Sequence, residues 1–146
     1  MTIKSFRGRI ADNGIQTIPL STNNGSIGYR IVKFSIMPGT PPSTSYENVV
    51  KIFTIPQTTA NATMDFSDNT LLAAAFMSGN SSTNYAEDMH VVFDNMTFNQ
   101  DIYITNSAPD TATSANYYVE LEQVNLDLTE NTVATLKDIR NIESNR

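Results

Sequence analysis

The stretch Ile27-Gly28-Tyr29-Arg30-Ile31-Val32-Lys33-Phe34-Ser35-Ile36-Met37 decides the fold class. Val32, Phe34 and Ile36 share one phase of a two-residue period, and Tyr29, Ile31 and Lys33 share the other. β-Branched and aromatic side chains at this density suit a pleated strand. Apolar residues in both phases predict a central strand, or one covered by another subunit. Pro38-Gly39-Thr40-Pro41-Pro42 stops it.

Working outward, Phe6, Gly8 and Ile10 alternate with Ser5, Arg7 and Arg9, which predicts a half-buried strand over 3–10. Asp12-Asn13-Gly14 supplies a turn into a second short strand, Ile15 to Leu20, ending near Pro19. Beyond the Pro-rich break, Val49 to Ile55 reads as a strand with Val49, Phe53 and Ile55 in phase. A short strand is predicted around Ala62 to Phe66, and Ser67-Asp68-Asn69 as a turn or helix cap. Leu71 to Met77 fits a buried strand or two helical turns. The Ser-Gly-Asn-Ser-Ser-Thr-Asn loop behind it favours the strand. Further strands are predicted at Asp88 to Phe93, Asp101 to Thr105 and Asn116 to Val124.

After Leu128 the pattern changes. Asp127 and Glu130 resemble a capping pair, with Thr129 an alternative cap. Val133, Leu136, Ile139 and Ile142 then recur every third residue, with Lys137 and Arg140 toward the C-terminal end. About eight or nine short strands followed by one helix indicate an all-β fold, an antiparallel β-sandwich of jelly-roll type. The sandwich is assigned to 1–128 and a short C-terminal helix or tail to 129–146. The chain lacks Cys and Trp, which disfavours the immunoglobulin pattern.

Composition supports this assignment. Ser, Thr and Asn fill about a third of the 146 residues, and charged residues only 16%, against roughly 25% in an average domain. Thr fits a pleated surface, and Asn and Ser seed turns. Without Cys, neither a disulfide scaffold nor a thiolate metal site can form. No apolar run reaches the ~18 residues of a membrane-spanning helix. The first residues lack the continuous apolar core of a signal peptide.

The net charge of −6 argues against nucleic acid as a partner. Six of the nine basic residues, Lys4, Arg7, Arg9, Arg30, Lys33 and Lys51, fall within the first 51 positions, and none falls between Ile52 and Leu136. Eleven carboxylates occupy the segment from Asp65 to Glu130. Either basic and acidic strands neighbour each other within one sheet, or a basic N-terminal segment docks on an acidic face of a neighbour.

Catalytic signatures are sparse. Nucleophilic catalysis needs a base beside the nucleophile, and the single histidine, His90, reads as a surface or interface residue. Neither a Gly-x-Ser-x-Gly elbow nor a phosphate-cradling loop occurs. Glu120 and Glu122 share one strand face, as a paired-carboxylate hydrolase would require. A solvated face, or salt bridges to Arg7, Arg9 or Lys33, accounts for them more simply. Asp65-Phe66-Ser67-Asp68-Asn69 lacks the spaced ligands of a calcium loop and reads as a turn. No enzyme activity, cofactor or metal is expected. The expected chemistry is contact, through Lys4, Phe6, Arg7 and Arg9 of segment 3–10 and Val133, Leu136, Ile139, Arg140 and Ile142 of segment 129–146. Either segment is expected to leave the sandwich and lie on a neighbour.

Three groups of residues then carry a resemblance. Ile27 to Phe34 is one. Val92-Phe93-Asp94-Asn95 with Asn99 to Thr105 is the second. Asn116 to Glu122, followed by Ala134 to Ile142, is the third. Together they resemble small virion structural proteins of marine tailed bacteriophages, cyanophages included. The likeness runs from about Phe6 to Ser144 in structural phrases, leaving Pro38 to Thr83 unmatched. It implies a virion component assembled in many copies in the host cytoplasm, as a homo-oligomer such as a trimer. A capsid cement (decoration) subunit on the major capsid protein is the favoured role, and a tail- or fibre-associated protein the alternative. An Asn/Thr/Tyr-rich surface also admits a carbohydrate-binding module, a role that the lack of Trp as a stacking platform weakens.

Overall fold

In a computed structural model that describes residues 2–20, 26–39, 45–80 and 85–126, every regular element is a strand. They are β1 (Ile3–Ile10), β2 (Gly14–Ile18), β3 (Ile27–Pro38), β4 (Tyr46–Phe53), β5 (Leu71–Asn80), β6 (Tyr85–Phe93), β7 (Ile102–Ser107) and β8 (Ala115–Asn125). Leu71 to Met77 is strand, as its flanking loop indicated. No helix among the described residues is long and apolar enough to cross a membrane. The predicted C-terminal helix or tail, and the domain boundary at 128/129, lie outside the described residues.

Two antiparallel sheets pack face to face. Sheet A has the order β1-β8-β3 and sheet B the order β2-β7-β4-β5-β6. The ladders β1:β8, β2:β7 and β4:β5 nest inside one another, as in a long hairpin rolled into a sandwich. The ladders β3:β8 and β4:β7 complete the roll. This is jelly-roll order with one departure, in which β6 stays paired with β5 in sheet B.

Alternation along each strand delivers the core. Ile10, Tyr29, Ile31, Phe34, Ile36, Val119 and Leu121 from sheet A meet Ile18, Val50, Ile52, Ala73, Ala75, Met77, Ile102 and Ile104 from sheet B, all buried. The crossover between β6 and β7 is sewn to sheet A. Tyr29 and Phe98 exchange two backbone hydrogen bonds, of 2.7 and 2.8 Å, and Phe98 is only 2% exposed.

Three sequence expectations are corrected. β3 is an edge strand of sheet A rather than a central one. Its apolar residues occupy both phases because a β-bulge between Ile31 and Lys33 inserts Val32 and inverts the alternation. Tyr29 and Ile31 before it, and Phe34 and Ile36 after it, all point inward. Residues 62–66 form no strand. Asp65 accepts from the Ser67 amide and hydroxyl, and Asp68 from those of Thr70, so side-chain turns replace a ladder. Segment 3–10 is no detached arm, since all eight residues of β1 pair with β8 and Ile10 is core. β4 also starts earlier than predicted, at Tyr46, and leaves Ile55 outside it.

A close approach explains one glycine. Gly79 lies opposite Tyr46, and a Cβ there would stand 2.5 Å from the buried tyrosine ring. Gly79→Ala is expected to cost about 2 kcal/mol, the usual scale of overpacking, read from the denaturant midpoint. A neutral result would show that the Tyr46 ring moves aside freely.

Candidate contact surfaces

The outer face of sheet A is a charge ladder that strand register builds. β8 lies between β1 and β3, so Glu122 stands between Ile3 and Arg30, and Glu120 between Ser5 and Lys33. Tyr118 stands between Arg7 and Ser35, and Asn116 between Arg9 and Met37. Arg30 makes a two-point contact with Glu122, its Nη2 at 2.6 Å and its Nε at 2.7 Å. Lys33 sits 5.7 Å from the centre of the Tyr118 ring. The Tyr118 hydroxyl donates to Glu120 at 2.8 Å, and that bond foremost holds it above the ordinary tyrosine range. Basic and acidic strands are therefore neighbours within one sheet. Glu122 finds Arg30 as its partner rather than Arg7, Arg9 or Lys33.

The predicted contact residues of β1 separate into two groups. Phe6 is half-buried and packs against the core. Lys4 falls on the same inward side, where its ammonium donates to the Tyr29 hydroxyl at 3.1 Å and lies 5.3 Å from that ring's centre. Arg7 and Arg9 are exposed on the outer face, and no carboxylate among the described residues forms an ion pair with either. Val133, Leu136, Ile139, Arg140 and Ile142 lie outside the described residues.

Sheet B presents an apolar rim that the sequence reading missed. Phe66 is 69% exposed, Val92 53%, Met89 45% and Phe93 39%. Met89 and Phe93 stand opposite buried Met77 and Ala73, so they extend the core face beyond the cover of the shorter sheet A. A cleft of about 350 Å³ opens beside them, lined by Phe66, Leu72, Val92, Phe93 and Met96 with Asp68 and Asp94. The available signal was Val91-Val92-Phe93, an apolar run filling both phases of β6. His90 is exposed and lies on the outer face with Val92.

On the outer face of sheet B the loop 54–70 is anchored by Lys51, which is buried at 4% exposure. Its ammonium donates to Asn61 Oδ1 at 2.9 Å and to the Thr63 carbonyl, and lies 5.5 Å from the centre of the Phe53 ring. Burial pulls the Lys51 pKa below its ordinary 10.5, against the opposing charge of Asp68. The unfolded chain therefore binds the extra proton in the window below 10.5. Stability from this group is full above that value and is lost as pH falls through the folded-state pKa. The stability of the native chain relative to Lys51→Met is expected to climb from neutral pH toward about pH 10, still below the range in which Tyr117 and Tyr118 ionise. Parallel denaturation curves across that range would contradict it.

A second cleft of about 500 Å³ is lined by Arg7, Ser35, Met37, Asn116, Tyr117 and Tyr118. Both tyrosines are already engaged, Tyr117 through its hydroxyl to Gln16 at 3.0 Å and Tyr118 between Lys33 and Glu120. Asp65 and Asp68 commit oxygens to the turns described above. Among the described residues no group of three or more His, Asp or Glu could hold a metal ion.

Fold and surface together define an antiparallel jelly-roll-type β-sandwich with a charged outer sheet and an apolar rim on the opposite sheet. No family model matches the chain, and no curated protein matches it.

Proposed function

We propose that the chain is a non-enzymatic structural subunit of a virion, most simply a cement subunit seated on the major capsid shell. The apolar rim of Phe66, Met89, Val92 and Phe93 carries this reading. Large side chains exposed together at a sheet edge suit burial against another protein. Arg7 and Arg9, exposed and without an ion pair among the described residues, supply a second, polar contact on the opposite sheet. The resemblance to virion proteins of marine tailed phages points the same way, and the two-sheet fold suits a small subunit used in many copies.

Quantitative mass spectrometry of purified particles tests it. Hundreds of copies per particle are expected for the cement role, and tens or fewer would assign the chain to the tail instead. Absence from particles would overturn the proposal.

A further inference from the structure

Among the described residues Lys51 is the one buried lysine or arginine. Ala74 of β5 and Thr105 of β7 flank it in register, 3% and 1% exposed, and the loop 54–70 covers its ammonium. Asn61, an exposed residue of that loop, turns its side-chain carbonyl against the lysine, with Nζ 2.9 Å from Oδ1. Thr63 fixes both partners at once. Its carbonyl accepts from Nζ, and its amide donates to Asn61 Oδ1 at 3.0 Å. A lysine buried against an amide is an amine held at contact distance from an acyl group.

We propose that Lys51 and Asn61 join covalently, in an isopeptide bond that pins the loop 54–70 to β4. The lone pair of the unprotonated Nζ attacks Asn61 Cγ. The charge that gathers on Oδ1 meets the Thr63 amide, already in place as an oxyanion donor. The tetrahedral carbon then collapses and the Cγ–Nδ2 bond breaks. Nδ2 leaves as ammonia, taking up the proton that Nζ sheds. One N–C bond forms and one breaks, with no oxidant or reductant. Contact between the two groups supplies the proximity that acyl transfer needs. Burial favours the unprotonated, nucleophilic amine, and burial is what lowers the Lys51 pKa. Asp68, whose charge acts on Lys51, and water at exposed Asn61 relay the proton. The same exposure lets ammonia escape, which draws the step forward. The inference is independent of the virion reading, because the bond forms within one chain. The pH-dependent stability described for Lys51 belongs to the unlinked amine, and the linked chain loses it.

Peptide mass mapping of the full chain reads the bond directly. No Lys or Arg lies between Ile52 and Leu136, so trypsin cutting after Lys33, Lys51 and Lys137 releases 34–51 and 52–137 from an unlinked chain. An acylated Lys51 resists trypsin. The linked chain is therefore expected to give the single peptide 34–137, lighter than its sequence mass by about 17 Da, the mass of ammonia. Linkage is expected to run at least about tenfold faster at about pH 9 than at about pH 7, because more of the amine is unprotonated. Asn61→Ala, a change at an exposed position, is expected to keep the full mass and the cut after Lys51, with circular dichroism like wild type. The wild-type map decides without relying on any variant. Wild type of full mass after prolonged incubation at about pH 9 would overturn the proposal. So would a chain that loses ammonia yet is still cut after Lys51, the mark of a succinimide instead.

Discussion

Phe98→Ala is expected to destabilise the domain by about 4 kcal/mol, the scale for removing a buried phenyl ring and leaving a cavity. Phe98 is 2% exposed in the core, on the only described segment between β6 and β7. Its backbone exchanges hydrogen bonds with Tyr29 of the opposite sheet, and an alanine keeps those bonds. The loss therefore isolates the packing of the ring from the backbone stitch. In a domain whose total stability is on the order of 10 kcal/mol, the melting temperature is expected to fall by roughly 10–15 °C. A loss under about 1 kcal/mol would show that the crossover lies outside the cooperative core.

Asn106→Leu is expected to cost about 3 kcal/mol, for a different reason. Asn106 and Asn48 are fully buried, and they hold three segments together. The Asn106 amide donates to the Ile10 carbonyl at 3.1 Å and to the Thr113 carbonyl at 3.2 Å. Its Oδ1 accepts from Asn48 at 3.1 Å, while Asn48 also donates to Thr113 at 3.0 Å and accepts from its hydroxyl. Leucine fills similar space but removes the bonds to the Ile10 and Thr113 carbonyls and takes the Oδ1 acceptor from buried Asn48, and each lost buried partner costs about 1–3 kcal/mol. The pair Asn48→Leu with Asn106→Leu is expected to cost less than the sum of the singles, because the two amides satisfy each other. Strict additivity in a double-mutant cycle would show that the network is not shared.

Much of the strand pattern is legible in local sequence, because alternation and turn chemistry are local. Asp12-Asn13-Gly14 marks its turn, with Asn13 in the left-handed region at φ 61°, and Pro38 marks the end of β3. The failures have local causes too. In β3 the bulge at Val32 lets both phases face inward, which mimics a strand covered on two sides. In 62–66, Ala62, Met64 and Phe66 alternate as a strand would, yet the Asp65 side chain captures the backbone first.

Partners across the sheets were less accessible. Nothing local distinguishes Arg30 from Lys33 as the mate of Glu122, because register between strands about 90 residues apart decides it. The burial of Lys51 and the Asn48–Asn106 pair depend equally on what the fold brings over them. Met89 and Phe93 are exposed because a five-stranded sheet overhangs a three-stranded one, a mismatch that no single strand encodes.

A cryo-EM reconstruction of the proposed virion tests contact-driven assembly most directly. The expected map shows two-sheet densities repeated over the outside of the shell, their apolar β6 rims buried against protein. A shell and tail whose densities are wholly accounted for by other chains would contradict it.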